Sequence, residues 1–273
     1  MEATRIAVLQ MTSGIDPRAN GDAIASAVAQ AREGGAAMLF TPEMSGLLDR
    51  NRKRAAGRIV TEAEDPVLAR VREAAARSGI MVALGSLAVA REDGRWANRS
   101  FLIGSSGEIL ARYDKIHMFD VSLDSGETWN ESAAYGAGEA VVTAQTPLGL
   151  LGLTICYDVR FPALFEALGR KRCDAIAIPA AFTVPTGKAH WELMLRARAV
   201  EASAWVIAAA QVGAHEDGRS TWGHSLVVDP WGEVVLDMGG ERPGLGFAEI
   251  DPSRTASVRQ QLPSLANRRN IAI

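Results

Sequence analysis

Cysteine, glutamate, lysine and histidine supply most of the reactive groups in this 273-residue chain, and Cys156 is distinguished by where it falls. It follows an apolar run, Leu150 to Ile155, that opens after the turn pair Pro147 and Gly149, and it precedes the polar stretch YDVRFP. Asp158 is an N-cap by type, and Phe161 to Arg170 reads as a helix with Pro162 in its first turn. A thiol where a buried strand meets a helix N-terminus encounters partial positive charge and free backbone N–H groups. These lower its pKa and can hold an oxyanion. The plainer alternative is a small buried hydrophobe, the usual fate of a free cysteine. Cys173, beside Asp174 at the entry to a strand, reads as structural.

A nucleophilic Cys156 needs a base, and the residues offer two kinds. A histidine from elsewhere, His190 or His224, would make a papain-like pair. Alternatively, a glutamate takes the thiol proton and passes it to a leaving amine, while an ammonium stabilises the thiolate and the developing oxyanion. Glu43 lies just past the C-terminal end of a short apolar strand, Ala37 to Phe40, where α/β sheets place functional groups. Lys115 follows another strand, Glu108 to Tyr113. It opens a long stretch without periodicity that also holds His117, Trp129 and Glu131 and reaches about Glu139. Loops of this length inside a compact domain are usually functional. The four histidines show no pair at metal-ligand spacing, so a zinc site is not expected. There is no G-x-S-x-G elbow, phosphate-binding glycine loop or dinucleotide fingerprint.

The elements that must position these groups alternate between strand and helix. Arg5 to Gln10 reads as a buried strand and Ala19 to Glu33 as an alanine-rich helix stopped by Gly34 and Gly35. A helix from about Asp65 to Arg77 follows, then strands over Met81–Val89, Asn98–Ile103 and Glu108–Tyr113, the last two joined by the turn GSSG. SLVVDPWGEVVLDM, Ser225 to Met238, echoes that last hairpin. Between them lie a strand over Asp174–Ile178, a helix over Ala189–Ser203, a strand over Trp205–Ala210 and a polar loop over Gln211–Thr221. The helix carries an apolar stripe of Trp191, Met194, Leu195, Ala199 and Ala202, with Glu192 and Arg196 as an i,i+4 pair. Gly244–Ile250 reads as a final strand and the tail as too polar for core. Two strand-rich halves suggest an internally two-fold arrangement of sheets covered by helices, in one domain spanning 1–273.

Composition narrows the function. Apolar residues make up 48% and charged residues 22% of the chain, which is ordinary globular composition. A formal net charge of −3 leaves no basic footprint for nucleic acid and no polybasic membrane patch. The basic run Arg50 to Arg54 reads as solvated surface. Two distant cysteines fit a reducing cytoplasm, and the first apolar run is too short for a signal or a span. The sequons at Asn98 and Asn130 then carry no meaning.

The segments resemble the nitrilase superfamily of carbon–nitrogen hydrolases over nearly the whole chain. Its three short motifs occur in order: TPEMSG with Glu43, RYDKIHMFD with Lys115, and ICYDVRFP with Cys156. AFTVPTGKAHWELMLRARAVE, AAAQVGAH and GHSLVVDPWGEVV look most like the Nit branch, which includes NitFhit fusions, deaminated-glutathione amidases and ω-amidases. The resemblance implies an α/β fold, a four-layer α-β-β-α sandwich with internal pseudo-two-fold symmetry. It implies a homodimer or larger homo-oligomer paired across the helix after the nucleophile and the long helix near Ala189–Ser203. It implies that Cys156 attacks an amide carbonyl with Glu43 as general base, then acid. Lys115 and the Tyr157 N–H would hold the oxyanion, and Glu131, rather than Glu127 or Glu139, would orient the substrate or Lys115. No metal or organic cofactor is implied.

The expected reaction is cleavage of a small carboxylate-bearing amide to acid and ammonia through a Cys156 thioester. Turnover of an N-carbamoyl amide or nitrile by the same route is the alternative, and a catalytically silent scaffold is the alternative of another class. Tyr157, Arg160, Phe182 and Thr183 are candidate pocket residues from their places near strand ends. Arg160 suits a substrate carboxylate, or else an ion pair with Asp158 or a helix partner. His117 reads as a packing or supporting histidine, and Trp129, Trp191 and Trp222 as core or interface. Ala180, Trp222 and the tail ANRR depart from the branch pattern, which weakens any named substrate without touching the reactive positions.

Overall fold

The computed structural model describes residues 2–124, 126 and 128–269; Glu127 lies outside them. The first half contains β1 (Thr4–Gln10), α1 (Pro17–Glu33), β2 (Met38–Phe40), α2 (Arg52–Ala56), α3 (Pro66–Ser78), β3 (Met81–Ala90), β4 (Trp96–Ile103) and β5 (Ile109–Asp114). A connecting stretch carries the small hairpin β6 (Asp120–Ser122) and β7 (Thr128–Asn130). The second half contains β8 (Thr143–Thr146), β9 (Gly149–Leu153), α4 (Pro162–Arg170), β10 (Ala175–Ala177), α5 (Val184–Ala202), β11 (Trp205–Ala208), β12 (Val212–Ala214), β13 (Ser220–Trp222), β14 (Leu226–Val228) and β15 (Val234–Asp237). β16 (Gly244–Ile250) and α6 (Pro252–Gln261) close the described chain.

Two six-stranded sheets result, in the orders β16-β1-β2-β3-β4-β5 and β15-β14-β11-β10-β9-β8. Each has three parallel strands at its centre, β1-β2-β3 or β9-β10-β11. Each then continues through an antiparallel meander, β4-β5 or β14-β15, and is flanked on the other side by one antiparallel strand, β16 or β8. The two hairpins whose sequences echo one another therefore occupy equivalent places, as the internal two-fold requires.

Side-chain alternation along β1 and β2 shows how the layers form. Ile6, Val8, Met38 and Phe40 share a core with Leu151, Leu153, Ile176 and Val206 of the second sheet. Their neighbours Ala7, Leu9 and Leu39 pack instead with Ile24, Val28 and Val71 of α1 and α3. A strand buried on both faces has no polar alternation to show, as in parallel sheets covered by helices. On the far side Trp191, Leu195 and Ala199 of α5 and Phe165 of α4 join the core. The order helix, sheet, sheet, helix is the four-layer sandwich that the resemblance implies.

Four local expectations need correction. Asp158 does not cap α4: Phe161 holds the N-cap position, and Asp158, three residues earlier, is wholly buried. α5 begins at Val184 rather than Ala189, because extended Thr183 leads into Pro185, whose fixed φ suits a first helical turn. The polar loop after β11 contains the hairpin β12–β13, and the polar tail contains α6, capped by Asp251 and burying Thr255 and Val258. Neither has an apolar period. α6 is held by polar docking, with the Arg259 guanidinium donating to the carbonyls of Ser203 and Cys173. No helix of the described residues is long and apolar enough to cross a membrane.

Candidate active site

Three carboxyl ends of strands and one loop deliver the reactive side chains. Glu43 sits in the turn after β2, which β3 holds from below. Gly85 N–H donates to Thr41 Oγ1 at 2.8 Å and Met44 N–H to Ser86 Oγ at 2.8 Å. A Cβ on Gly85 would lie 1.9 Å from the Thr41 carbonyl oxygen, so only glycine allows this approach. The other half of the chain grips the same turn through Gln211, whose Nε2 donates to the Glu43 carbonyl at 3.0 Å. Lys115 follows β5 directly, its N–H donating to Asn98 O at 2.9 Å. Glu131 begins a 3-10 turn after β7, and its Oε2 accepts the Phe119 N–H at 2.7 Å.

Cys156 follows β9 and takes a left-handed backbone, φ 49°, that is uncommon for any residue but glycine. Its N–H donates to Pro179 O at 2.8 Å, and the chain turns through a 3-10 segment, Cys156–Arg160, before α4. Strain of this kind persists where surrounding structure fixes it, which is a feature of reactive sites. The fixing group is Asp158. Its Oδ2 accepts from Tyr113 Oη at 2.6 Å and from Ile155 N–H at 2.9 Å. Its Oδ1 accepts from His117 N–H at 3.0 Å and lies 2.7 Å from His117 Nδ1. One buried carboxylate thus ties the residue before Cys156 to residues on either side of Lys115. Nothing but the residue types hints at that link before the chain folds.

The side chains of Glu43, Lys115 and Cys156 are 4%, 2% and 8% exposed as residues and meet behind this clamp. Lys115 Nζ donates to Glu43 Oε1 at 3.0 Å and to Glu131 Oε2 at 2.8 Å. An ammonium has three donors, so one is left over. Glu43 Oε2 accepts the Ala181 N–H at 3.0 Å. Burial would lower the Lys115 pKa, but the charges of Glu131 and Glu43 reverse that and hold it well above its ordinary value. Burial, and then the Glu43 charge, push the Cys156 thiol well above its ordinary pKa, with Lys115 opposing. The expectation of a pKa lowered by a helix N-terminus is therefore overturned: α4 starts at Pro162 and desolvation dominates. A thiol held protonated at rest gives up its proton to a base as it attacks, and the carboxylate beside it is Glu43.

The histidines are engaged elsewhere. His224 pairs with Asp237 at 3.0 Å and stacks on Trp222, His190 meets Arg160 at 3.3 Å, and His215 lies between Ser13 O and Thr221 Oγ1. His117 stacks on Phe161 at 3.6 Å besides contacting Asp158. None is among the groups that shift the Cys156 thiol. Among the described residues no three His, Cys, Asp or Glu converge to hold a metal.

Around the thiol, the Tyr157 N–H meets no acceptor among the described residues. The Tyr157 ring packs edge-on against Phe119 and Phe161. Arg160 lies over the rings of Tyr157, at 5.9 Å, and Phe182, at 5.4 Å, and pairs with no carboxylate among the described residues. The ion pair with Asp158 does not form, because Asp158 turns inward. Phe182 also packs on Trp191 at 4.7 Å, while Thr183 sits at the N-cap of α5 with its hydroxyl 2.9 Å from that of Thr186. Asn98 is a site residue that sequence reasoning passed over. It lies on β4 with Nδ2 donating to Glu43 Oε1 at 2.9 Å and to Glu131 Oε1 at 3.1 Å. The polar run Asn98-Arg99-Ser100 inside β4, ahead of the apolar Phe101–Ile103, was the available signal.

The model of the carbon–nitrogen hydrolase family matches residues 5–260. The chain is 40% identical to the deaminated glutathione amidase of Yersinia enterocolitica over 278 aligned positions, covering 100% of this chain and 95% of that protein. It is 50% identical to the Synechocystis deaminated glutathione amidase over 182 positions, a match spanning 66% of each. The crystal structure of the C. elegans NitFhit protein superposes with a TM-score of 0.89 at 37% identity, covering 98% of this chain and 66% of that one.

Proposed function

The chain belongs to the carbon–nitrogen hydrolase family, and from that premise we propose that residues 1–273 form one domain, a thiol amidohydrolase for small carboxylate-bearing amides. The observation that carries the reading is the buried meeting of Cys156, Glu43 and Lys115, with Glu131 on the far side of the lysine. Glu43 takes the proton from the Cys156 thiol as the sulfur attacks the amide carbon, and the carbonyl oxygen becomes an oxyanion. The third Lys115 N–H and the Tyr157 N–H are the donors available to it. As the C–N bond breaks, Glu43 returns the proton to the leaving nitrogen, giving ammonia from a primary amide or an amine from a secondary one. A water then loses a proton to Glu43 and attacks the thioester, and the proton passes to the departing thiolate. Glu131 holds Lys115 in place throughout.

The deaminated glutathione amidases among the relatives, and the Arg160 guanidinium, which lies between two aromatic rings with no carboxylate partner among the described residues, support a substrate that carries a carboxylate. Tyr157 and Phe182 line that approach, and Thr183 contributes through the start of α5. The two unpaired cysteines suit a reducing cytoplasm, where the nucleophile stays a thiol. Pairing of two copies across α4 and α5 is supported by the exposed apolar side chains Leu193, 69% exposed, and Val200, one heptad apart on α5.

The test is turnover by the purified protein, with Cys156→Ala as control. The panel is α-ketoglutaramate, α-ketosuccinamate, deaminated glutathione, glutamine, asparagine, an N-carbamoyl amino acid and a simple nitrile. Ammonia is measured for the primary amides, glutamine, asparagine, the carbamoyl compound and the nitrile, and free amine for deaminated glutathione. Cys156-dependent turnover of an ω-amide or of deaminated glutathione is expected. Turnover of the nitrile or carbamoyl compound alone would keep the chemistry and overturn the substrate class. Silence across the panel, with Cys156 refusing electrophiles, would leave a scaffold.

A further inference from the structure

We propose that Asn98 is a positioning residue that makes the two oxygens of Glu43 unequal and so decides which of them receives the thiol proton. The inference rests on the amidase reading of the same site.

Asn98 is 2% exposed and lies on β4. Ser100 and Leu102, two and four residues on, share its side of the strand, and Leu102 belongs to the core between the sheets. An amide on that side is costly unless it is fully hydrogen-bonded. Here it is only half satisfied. Nδ2 spends both hydrogens, one on Glu43 Oε1 and one on Glu131 Oε1, while Oδ1 is buried with no donor among the described residues. A residue selected for packing alone would not leave a buried carbonyl orphaned, since an aliphatic side chain of the same size would fill the space without it. What the asparagine supplies is the Nδ2 group.

That group closes a ring. Asn98 Nδ2, Glu43 Oε1, Lys115 Nζ and the Glu131 carboxylate each bond to the next, so two carboxylates share one ammonium and one amide without turning away from each other. Within the ring Glu43 Oε1 accepts from both Lys115 and Asn98. Oε2 lies outside it and accepts the Ala181 N–H, with neither the ammonium nor the amide upon it. Two donors, one of them charged, leave Oε1 the weaker base, and Oε2 keeps the freer lone pair. The Ala181 N–H that bonds Oε2 at 3.0 Å also acts to lower the Cys156 thiol pKa, so Oε2 and the thiol share a donor. Proton transfer therefore runs between Sγ and Oε2, with Asn98 holding the carboxylate plane in the orientation that permits it. The backbone of Asn98 does separate work, accepting the Lys115 N–H at 2.9 Å, and no side-chain substitution touches that bond.

The test compares Asn98→Leu, which fills the space without a donor, with Asn98→Ala and with Asn98→Ser, which restores one donor. Thermal melting of each is recorded beside kcat, KM and the rate of Cys156 alkylation by iodoacetamide. Both donor-free variants should lose kcat by about 100-fold with KM within about threefold, the scale of a misdirected general base. Their alkylation at neutral pH should slow about tenfold, and Asn98→Ser should fall between them and the wild type. Near-normal kcat and alkylation in Asn98→Leu would overturn the proposal and leave Asn98 a spacer. If the Leu and Ala variants fail to fold, Asn98→Ser decides: wild-type kcat in it overturns the proposal, and a loss in kcat alone supports it. A wild type that turns over no amide defeats the amidase reading, while the alkylation comparison still decides the role of Asn98.

Discussion

Replacing Tyr113 by Phe removes one oxygen from the clamp that joins the Lys115 strand to the Cys156 turn. The tyrosine is 1% exposed and its hydroxyl donates to Asp158 Oδ2 at 2.6 Å. Phe occupies the same volume, so no cavity term enters. A hydrogen bond to a charged group contributes about 1.5–3 kcal/mol net. Oδ2 keeps the Ile155 N–H, so the carboxylate is not orphaned, and the cost falls near the lower end, about 2 kcal/mol. For a chain of this length that is a fall of roughly 4 °C in Tm. Burial first, and then the Asp158 charge, push the Tyr113 pKa far up, so the hydroxyl remains a donor through the alkaline range of an assay. Ile155 precedes Cys156 and Tyr113 lies two residues before Lys115, so a slackened clamp also misaligns nucleophile and ammonium. Loss of about tenfold in kcat corresponds to about 1.4 kcal/mol of transition-state stabilisation. The assay is a thermal melt paired with steady-state kinetics on the best amide of the panel. Tyr113→Phe melting within 1 °C of wild type (about the reading error of such a melt, and well below the estimate above) with full kcat would show that Asp158 does not act as a clamp.

Glu43→Gln should abolish turnover while His190→Ala and His224→Ala retain most of it; the reverse pattern in steady-state kinetics would restore a histidine base. With the Cys156 pKa raised in the fold, the folded protein keeps a proton that the unfolded chain loses near pH 8.5. Stability from this source is complete below about pH 8.5 and is lost as the pH rises. Iodoacetamide inactivation of the free protein should accordingly keep climbing beyond pH 9, and a plateau below pH 8 would contradict the buried, protonated thiol. Leu193→Glu places a charge on the exposed face of α5 and should give monomers in sedimentation, whereas an unchanged profile would move the proposed interface elsewhere.

Local chemistry was enough to read much of this protein from its sequence. Apolar runs marked β1, β2, β3, β9 and β16, alanines and a pair of glycines marked α1, and the recurrence of strand, turn, Gly-Glu, strand announced the two-fold. The proposed triad was legible too, because Glu43, Lys115 and Cys156 each follow a strand and each stands in a recognisable motif. α6 and the β12–β13 hairpin were not, since polar docking to distant segments, rather than an apolar period, stabilises them. Tertiary structure alone decided the electrostatics. The type and position of Cys156 suggested a thiol activated by a helix dipole, but the depth at which the two sheets bury it makes desolvation the larger effect. Tertiary structure also decided the partners of Asp158 and Asn98. Their bonds cross 45 and 55 residues of chain, and no local pattern encodes which donor or acceptor a folded chain will bring within 3 Å of a buried polar atom.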